Sequence, residues 1–128
     1  IIAQSLAAAG VKNIVCHNVS KSEQSQILCD IFRYKGLIIG SPTYSNGIFS
    51  PIENIMNLIR VRELKNRTYA VFGSYTWAPM AVKKLLPFAE EMKWELVGTP
   101  FELKMADLPS VIDAAWQLGQ DFAEALNK

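Results

Sequence analysis

Two short stretches hold the residues that could do chemistry. The first, Gly40-Ser41-Pro42-Thr43-Tyr44-Ser45-Asn46-Gly47-Ile48-Phe49, follows the apolar run Leu37-Ile38-Ile39. The second, Gly73-Ser74-Tyr75-Thr76-Trp77-Ala78-Pro79, follows Tyr69-Ala70-Val71-Phe72. Gly40 and Gly47 open backbone geometries closed to other residues, Pro42 stiffens the chain, and Thr43, Ser45 and Asn46 carry hydrogen-bonding side chains. Tyr44, Tyr75 and Trp77 add aromatic planes. Such loops suit a flat ligand with polar edges. Neither loop puts a histidine or carboxylate beside Ser41, Ser45, Ser74 or Thr76, so no nucleophile–base pair is visible and no catalytic residue is assigned. One histidine and two separated cysteines make no metal site. Each feature also has an ordinary reading, since aromatic residues pack on turns and Asn46-Gly47 is a common turn pair. The functional reading rests on their co-occurrence.

The elements that position these loops follow from hydrophobic spacing. Ile1 to Ala9 reads as a helix closed by Gly10, and Asn13 to Val19 as an edge strand. Ser20-Lys21-Ser22-Glu23 matches a capping box opening a helix with Ile27, Leu28, Ile31 and Phe32 on one face. Leu37-Ile38-Ile39 is unbroken, as in a parallel strand buried on both faces. Ser50, Pro51 and Glu53 are read as cap, N1 and N3 of a helix burying Ile52, Ile55, Met56 and Ile59. Arg60 to Arg67 is expected to be a solvated turn. Tyr69 to Phe72 is a strand, followed by a helix presenting Val82, Leu85, Leu86, Ala89 and Met92. Trp94 to Leu103 carries the last strand, with Pro100 at an edge or bulge. The last helix starts within Asp107 to Asp113 and buries Val111, Ala115, Leu118, Phe122 and Leu126; Trp116 is assigned to core or interface. Alternating helices and strands predict one three-layer α/β domain over residues 1–128. Both loops then lie at carboxyl ends of strands, where open α/β sheets bind ligands.

Composition excludes several classes. The chain has 128 residues, 50% apolar and 20% charged, with a formal charge of +1. That fits one core and gives neither a basic stripe for nucleic acid nor a polybasic membrane anchor. Cys16 and Cys29 are expected to be buried free thiols and His17 a polar surface residue. No apolar run approaches a bilayer span, and a cytoplasmic location is the default expectation.

The pair Gly-Ser-Pro-Thr-Tyr-Ser-Asn-Gly and Phe-Gly-Ser-Tyr-Thr-Trp, with the helix Ala81-Val82-Lys83-Lys84-Leu85 after it, resembles the flavodoxin-like domain of the flavodiiron proteins, or A-type flavoproteins. The resemblance runs through almost the whole chain; Pro79-Met80 departs from the small residues expected after the tryptophan. It implies a flavodoxin-like, doubly wound parallel sheet that binds FMN. By resemblance Ser41, Pro42, Thr43, Tyr44, Asn46 and Gly47 wrap one side and edge of FMN, and Ser74, Tyr75, Trp77 and Ala78 the other. Electrons would come from a reduced carrier such as rubredoxin or an NAD(P)H-linked reductase. They would pass to a diiron site in a separate metallo-β-lactamase-like domain, reducing oxygen or nitric oxide within a homodimer. A free-standing flavodoxin, a flavin-dependent quinone reductase and a flavin-free interaction module stay open as alternatives.

Helical spacing runs up to Ile1 with no capping residue ahead of it. In the flavodoxin-like strand order 2-1-3-4-5, a central strand and a phosphate loop would precede that helix. Losing such a strand removes several apolar side chains worth roughly 1.5–3 kcal/mol each, against a total stability of about 5–15 kcal/mol. The expectation is that the native polypeptide extends beyond Ile1.

Overall fold

The computed structural model describes residues 1–44, 47–105 and 107–127, Tyr44 through its main chain. The two apolar runs form the paired centre of the sheet. β1 (Gly36–Tyr44) lies parallel to β3 (Thr68–Tyr75), with Gly36 opposite Thr68 and Pro42 opposite Ser74. β2 (Gly47–Ile48) folds back antiparallel on the end of β1. β4 (Glu95–Leu96) and β5 (Phe101–Lys104) both pair parallel with β3 on its other side. The sheet is therefore mixed, where a wholly parallel one was expected.

Side chains alternate across the pleat and feed two cores. Leu37, Ile39, Tyr69 and Val71 face α2 (Gln24–Arg33), α3 (Ser50–Arg62) and α4 (Ala81–Met92), which contribute Ile31, Ile55, Met56, Leu85 and Phe88. Ile38 and Ala70 face α1 (Ile2–Ala8) and α5 (Ile112–Leu126), which contribute Leu6, Leu118 and Phe122. Three layers result, as the alternation predicts. Tyr69 sits at the middle of the first core, edge-on to Phe88 and Trp94, with its hydroxyl donating to the Leu85 carbonyl at 3.1 Å. Burial pushes this phenol well above its ordinary pKa, with Arg60 acting weakly in the other direction. Ser5 and Gly119 let α1 and α5 approach closely: a Cβ on Gly119 would lie 2.6 Å from Ser5 Oγ. The buried Ser5 hydroxyl donates to the Trp116 carbonyl at 2.6 Å. Among the described residues no helix is long and apolar enough to cross a membrane.

Several expectations are corrected. Residues 11–18 form no strand, because among the described residues no neighbouring strand offers them ladder hydrogen bonds. The capping box is not made: α2 starts at Gln24, and Ser20 bonds Asn18 Oδ1 instead. His17 is half-buried, with Nε2 2.6 Å from Asp30 Oδ2 and Nδ1 3.3 Å from Ser22 Oγ, so it braces a loop against α2. Cys16 and Cys29 are free but exposed, and Phe32 and Trp116 are also exposed. Ser50 is the first helical residue of α3 and Phe49 its N-cap, one position earlier than expected. Arg60 to Arg67 is no mere solvated turn. Arg60 bonds Glu91 at 2.9 Å and lies over the Phe88 ring, while Arg67 donates to the carbonyls of Ile31 and Phe32 that end α2. The expected last strand is broken into β4 and β5 around Gly98, which takes a left-handed φ of +79°.

Candidate functional site

Both predicted loops begin as strand. Sheet pairing continues past Gly40 and past Gly73, since Ser41 and Pro42 remain in register with Gly73 and Ser74. Glycine at 40 makes this possible, because a Cβ there would fall 2.1 Å from the Phe72 ring, which is itself stacked on Phe101. A Cβ on Gly73 would likewise meet Ala81 Cβ at 3.0 Å and the Ser41 carbonyl at 3.2 Å. The backbones of the two loops are thus held against each other and against the start of α4.

Two side chains lock that arrangement. Ser41 is buried, its hydroxyl donating to the Pro42 carbonyl at 2.8 Å and accepting the Phe49 N–H at 2.9 Å across the β1–β2 hairpin. Thr43 Oγ1 accepts the N–H groups of Met80 and Ala81, each at 3.1 Å. No side chain of its own neighbourhood caps α4. The cap comes from the other loop, and it also explains how Pro79-Met80 is tolerated ahead of the helix.

Beyond these contacts the surface is open. Trp77 is 95% exposed, and Thr76 and Ala78 are exposed beside it. The N–H groups of Trp77 and Ala78 make no hydrogen bond among the described residues. Ser74 and Tyr75 are half-buried at the end of β3. Gly47 pairs with Tyr44 in the hairpin, and Pro42 is exposed. The Tyr44 side chain, Ser45 and Asn46 lie outside the described residues. Ser41 and Thr43, expected as ligand contacts, have hydroxyls already engaged in holding the loops. A large exposed aromatic plane beside free main-chain donors fits the ring system of a flat, polar-edged cofactor.

One group was missed in the sequence. Glu102 on β5 stands beside Gly73, and its Oε2 is buried with no hydrogen-bond partner. Burial raises its carboxyl above the ordinary carboxylate range, opposed by the N–H of Val82 at the start of α4 and by Lys83. Only the register of β5 on β3, set across a long sequence separation, reveals it.

No family model matches the chain. It is 37% identical over 68 residues to the anaerobic nitric oxide reductase flavorubredoxin of Vibrio vulnificus, a match covering 53% of this chain and 14% of that protein. It is 27% identical over 111 residues to the rubredoxin-oxygen oxidoreductase of Megalodesulfovibrio gigas, covering 87% of this chain and 26% of that one. Among solved structures, the Flv1 flavodiiron core from Synechocystis superposes with a TM-score of 0.89 at 25% identity, over 98% of this chain and 31% of that chain. A flavodoxin from the Archaea gives a TM-score of 0.80 at 18% identity, over 99% of this chain and 86% of that one. The chain spans 14–26% of the length of the curated relatives it matches. It is homologous to one segment of these larger redox proteins, and its fold is flavodoxin-like.

Proposed function

We propose that this chain is the FMN-binding electron-transfer domain of a flavodiiron oxygen or nitric oxide reductase. The observation that carries the proposal is the joining of the two loops through Thr43, which leaves Trp77 and two free N–H groups presented together at the carboxyl edge of the sheet. Homology to flavorubredoxin and rubredoxin-oxygen oxidoreductase supports it.

FMN, when bound, supplies reversible electron transfer between a donor and an acceptor. The protein's own residues bind and orient. Thr43 and Ser41 fix the loops, Trp77 or Tyr75 offers a stacking surface, and the Trp77 and Ala78 N–H groups offer donors to a polar ring edge. Pro42, Tyr44, Asn46, Gly47 and Ser74 complete the expected contact set. Neither loop carries Lys or Arg, so negative charge on a bound ring meets no cation from them, which keeps the potential low. A reduced carrier, rubredoxin or an NAD(P)H-linked reductase, would deliver electrons, and a diiron domain, facing FMN of another subunit in a homodimer, would receive them. The chain alone would not reduce oxygen or nitric oxide. A flavodoxin acting by itself is the second reading, favoured by the match over 86% of the archaeal flavodoxin.

A visible absorbance titration with FMN tests the core of this reading. It is run on the 128-residue chain and on the same chain extended upstream by one strand and loop. Perturbed flavin bands and quenched flavin fluorescence in the extended form are expected. Failure of both forms to bind overturns it. The intact mass of the native polypeptide separates the larger reductase from the single-domain flavodoxin.

A further inference from the structure

Among the described residues, Glu102 is the side chain that buries a polar atom without a partner, and it does so where three strands and a helix meet. Its strand pairs with β3 so that Glu102 lies opposite Gly73, and Lys104 opposite Tyr75. Paired residues share a face, so Glu102, Gly73, Tyr75 and Lys104 all turn to one side of the sheet, the side of α4. Gly73 is buried, and the Glu102 stem lies over it. A Cβ on Gly73 would be 3.6 Å from Glu102 Cγ, 3.0 Å from Ala81 Cβ and 3.2 Å from the Ser41 carbonyl. The acid therefore fills the angle between the start of the second loop, the end of β1 and the first turn of α4.

Three of the N–H groups that open α4 are held from outside the helix. Met80 and Ala81 donate to Thr43 Oγ1, each at 3.1 Å, and Val82 donates to the Glu102 carboxyl. Thr43 on β1 and Glu102 on β5 thus clamp the turn from opposite sides of β3. Only one carboxyl oxygen is served by Val82. The other, Oε2, is buried and unpartnered, and ionisation spreads charge onto it where no water or donor receives it. The Val82 N–H at the helix start and the Lys83 ammonium favour the charged form, but both are outweighed by burial. Along its own strand Glu102 has exposed Lys104, on β3 the Tyr75 phenol, and towards β1 the uncharged Ser41 carbonyl.

We propose that Glu102 is a proton-controlled positioning residue for the second loop. Neutral, its carboxyl stays folded over Gly73 and holds the Val82 end of the clamp. Ionised, it gives its proton to water and turns its buried oxygen outward, and residues 77–82 gain freedom. Trp77 and Ala78 stand on that span, so the surface they present to a flat ligand is better ordered as the pH falls. The latch stands on Glu102 and α4 alone; its effect on ring binding rests on the flavin reading.

The test compares the native protein, without flavin, with its Glu102→Gln variant, which keeps the shape and the acceptor for Val82 but cannot ionise. Amide exchange at 80–82 is followed from about pH 4.5 to 8, with protection of the β3 amides showing that the fold persists throughout. The ratio of parent to variant rates at each pH cancels the intrinsic rate. It is expected to be near unity at the acid end and to rise at least about threefold towards the alkaline end. A flat ratio overturns the proposal. So does a variant that exchanges faster than the parent at the alkaline end, since the carboxylate would then be the better hold. Carbon-detected NMR of the Glu102 carboxyl gives its titration directly, and a midpoint away from the rise in the ratio also overturns it. Riboflavin, which carries the ring without a titrating phosphate, reads the coupling. The parent's affinity is expected to fall at least about threefold over the same range while the variant's stays level. An exchange response with a level affinity in the parent keeps the latch and removes its link to the ring. Riboflavin bound by neither form counts against the flavin reading and leaves the latch standing.

Discussion

Thr43 Oγ1 lies 3.1 Å from the nitrogen of Ala81, so a side chain at the end of β1 caps a helix that begins 38 residues later. One hydroxyl satisfies two main-chain donors and fixes the distance between two loops. Thr43→Ala removes both bonds. It is expected to cost about 1 kcal/mol, a fall of roughly 4 °C in Tm, and to weaken FMN binding. Thr43→Ser should restore both, and restoration by Val instead would show that shape, not the cap, matters.

Trp77 separates binding from stability. With its side chain in solvent it contributes little to folding, so Trp77→Ala should leave the unfolding free energy within the roughly 0.5 kcal/mol of a neutral surface change. Loss of ring stacking should weaken FMN by about 1–3 kcal/mol in an isothermal titration. Unchanged affinity would return Trp77 to a partner-facing or incidental role.

Gly40 is a packing requirement. Gly40→Ala drives a methyl into the Phe72 ring, which must shift and disturb its stacking on Phe101. A loss of about 1–3 kcal/mol is expected by urea denaturation. The double variant with Phe72→Leu should recover part of it.

Glu102 ties stability to pH. Its folded-state pKa is raised, so its contribution is fully present below the ordinary carboxylate pKa and is lost as pH rises through the folded value. Glu102→Gln should match the parent under acidic conditions and exceed its Tm at neutral pH. Curves that stay parallel across that range would rule the linkage out.

Much of this architecture could be read from the residues. The strands at Leu37 to Ile39 and Tyr69 to Phe72, the faces of α3 and α5, and the left-handed Gly10 after α1 depend on local spacing and are found where expected, although Leu37 and Ile38 are only half-buried. What was not legible depends on partners distant in sequence. Asn13 to Val19 has strand composition and no neighbour to pair with. The first halves of both loops are strand because Ser41 meets Gly73 across the sheet. At the site, the aromatic loops were found by residue type, whereas the structural duties of Ser41 and Thr43 and the orphaned Glu102 oxygen came only from the fold.

Ser5 and the Trp116 carbonyl are 111 residues apart. Helix α1 has seven residues, too few to persist by itself in water, and its buried face rests on α5. During synthesis, at about 5–20 residues per second, it therefore waits several seconds for its partner to leave the ribosome. Throughout that interval Leu6 and Ile2 lack the cover that α5 gives them in the folded domain.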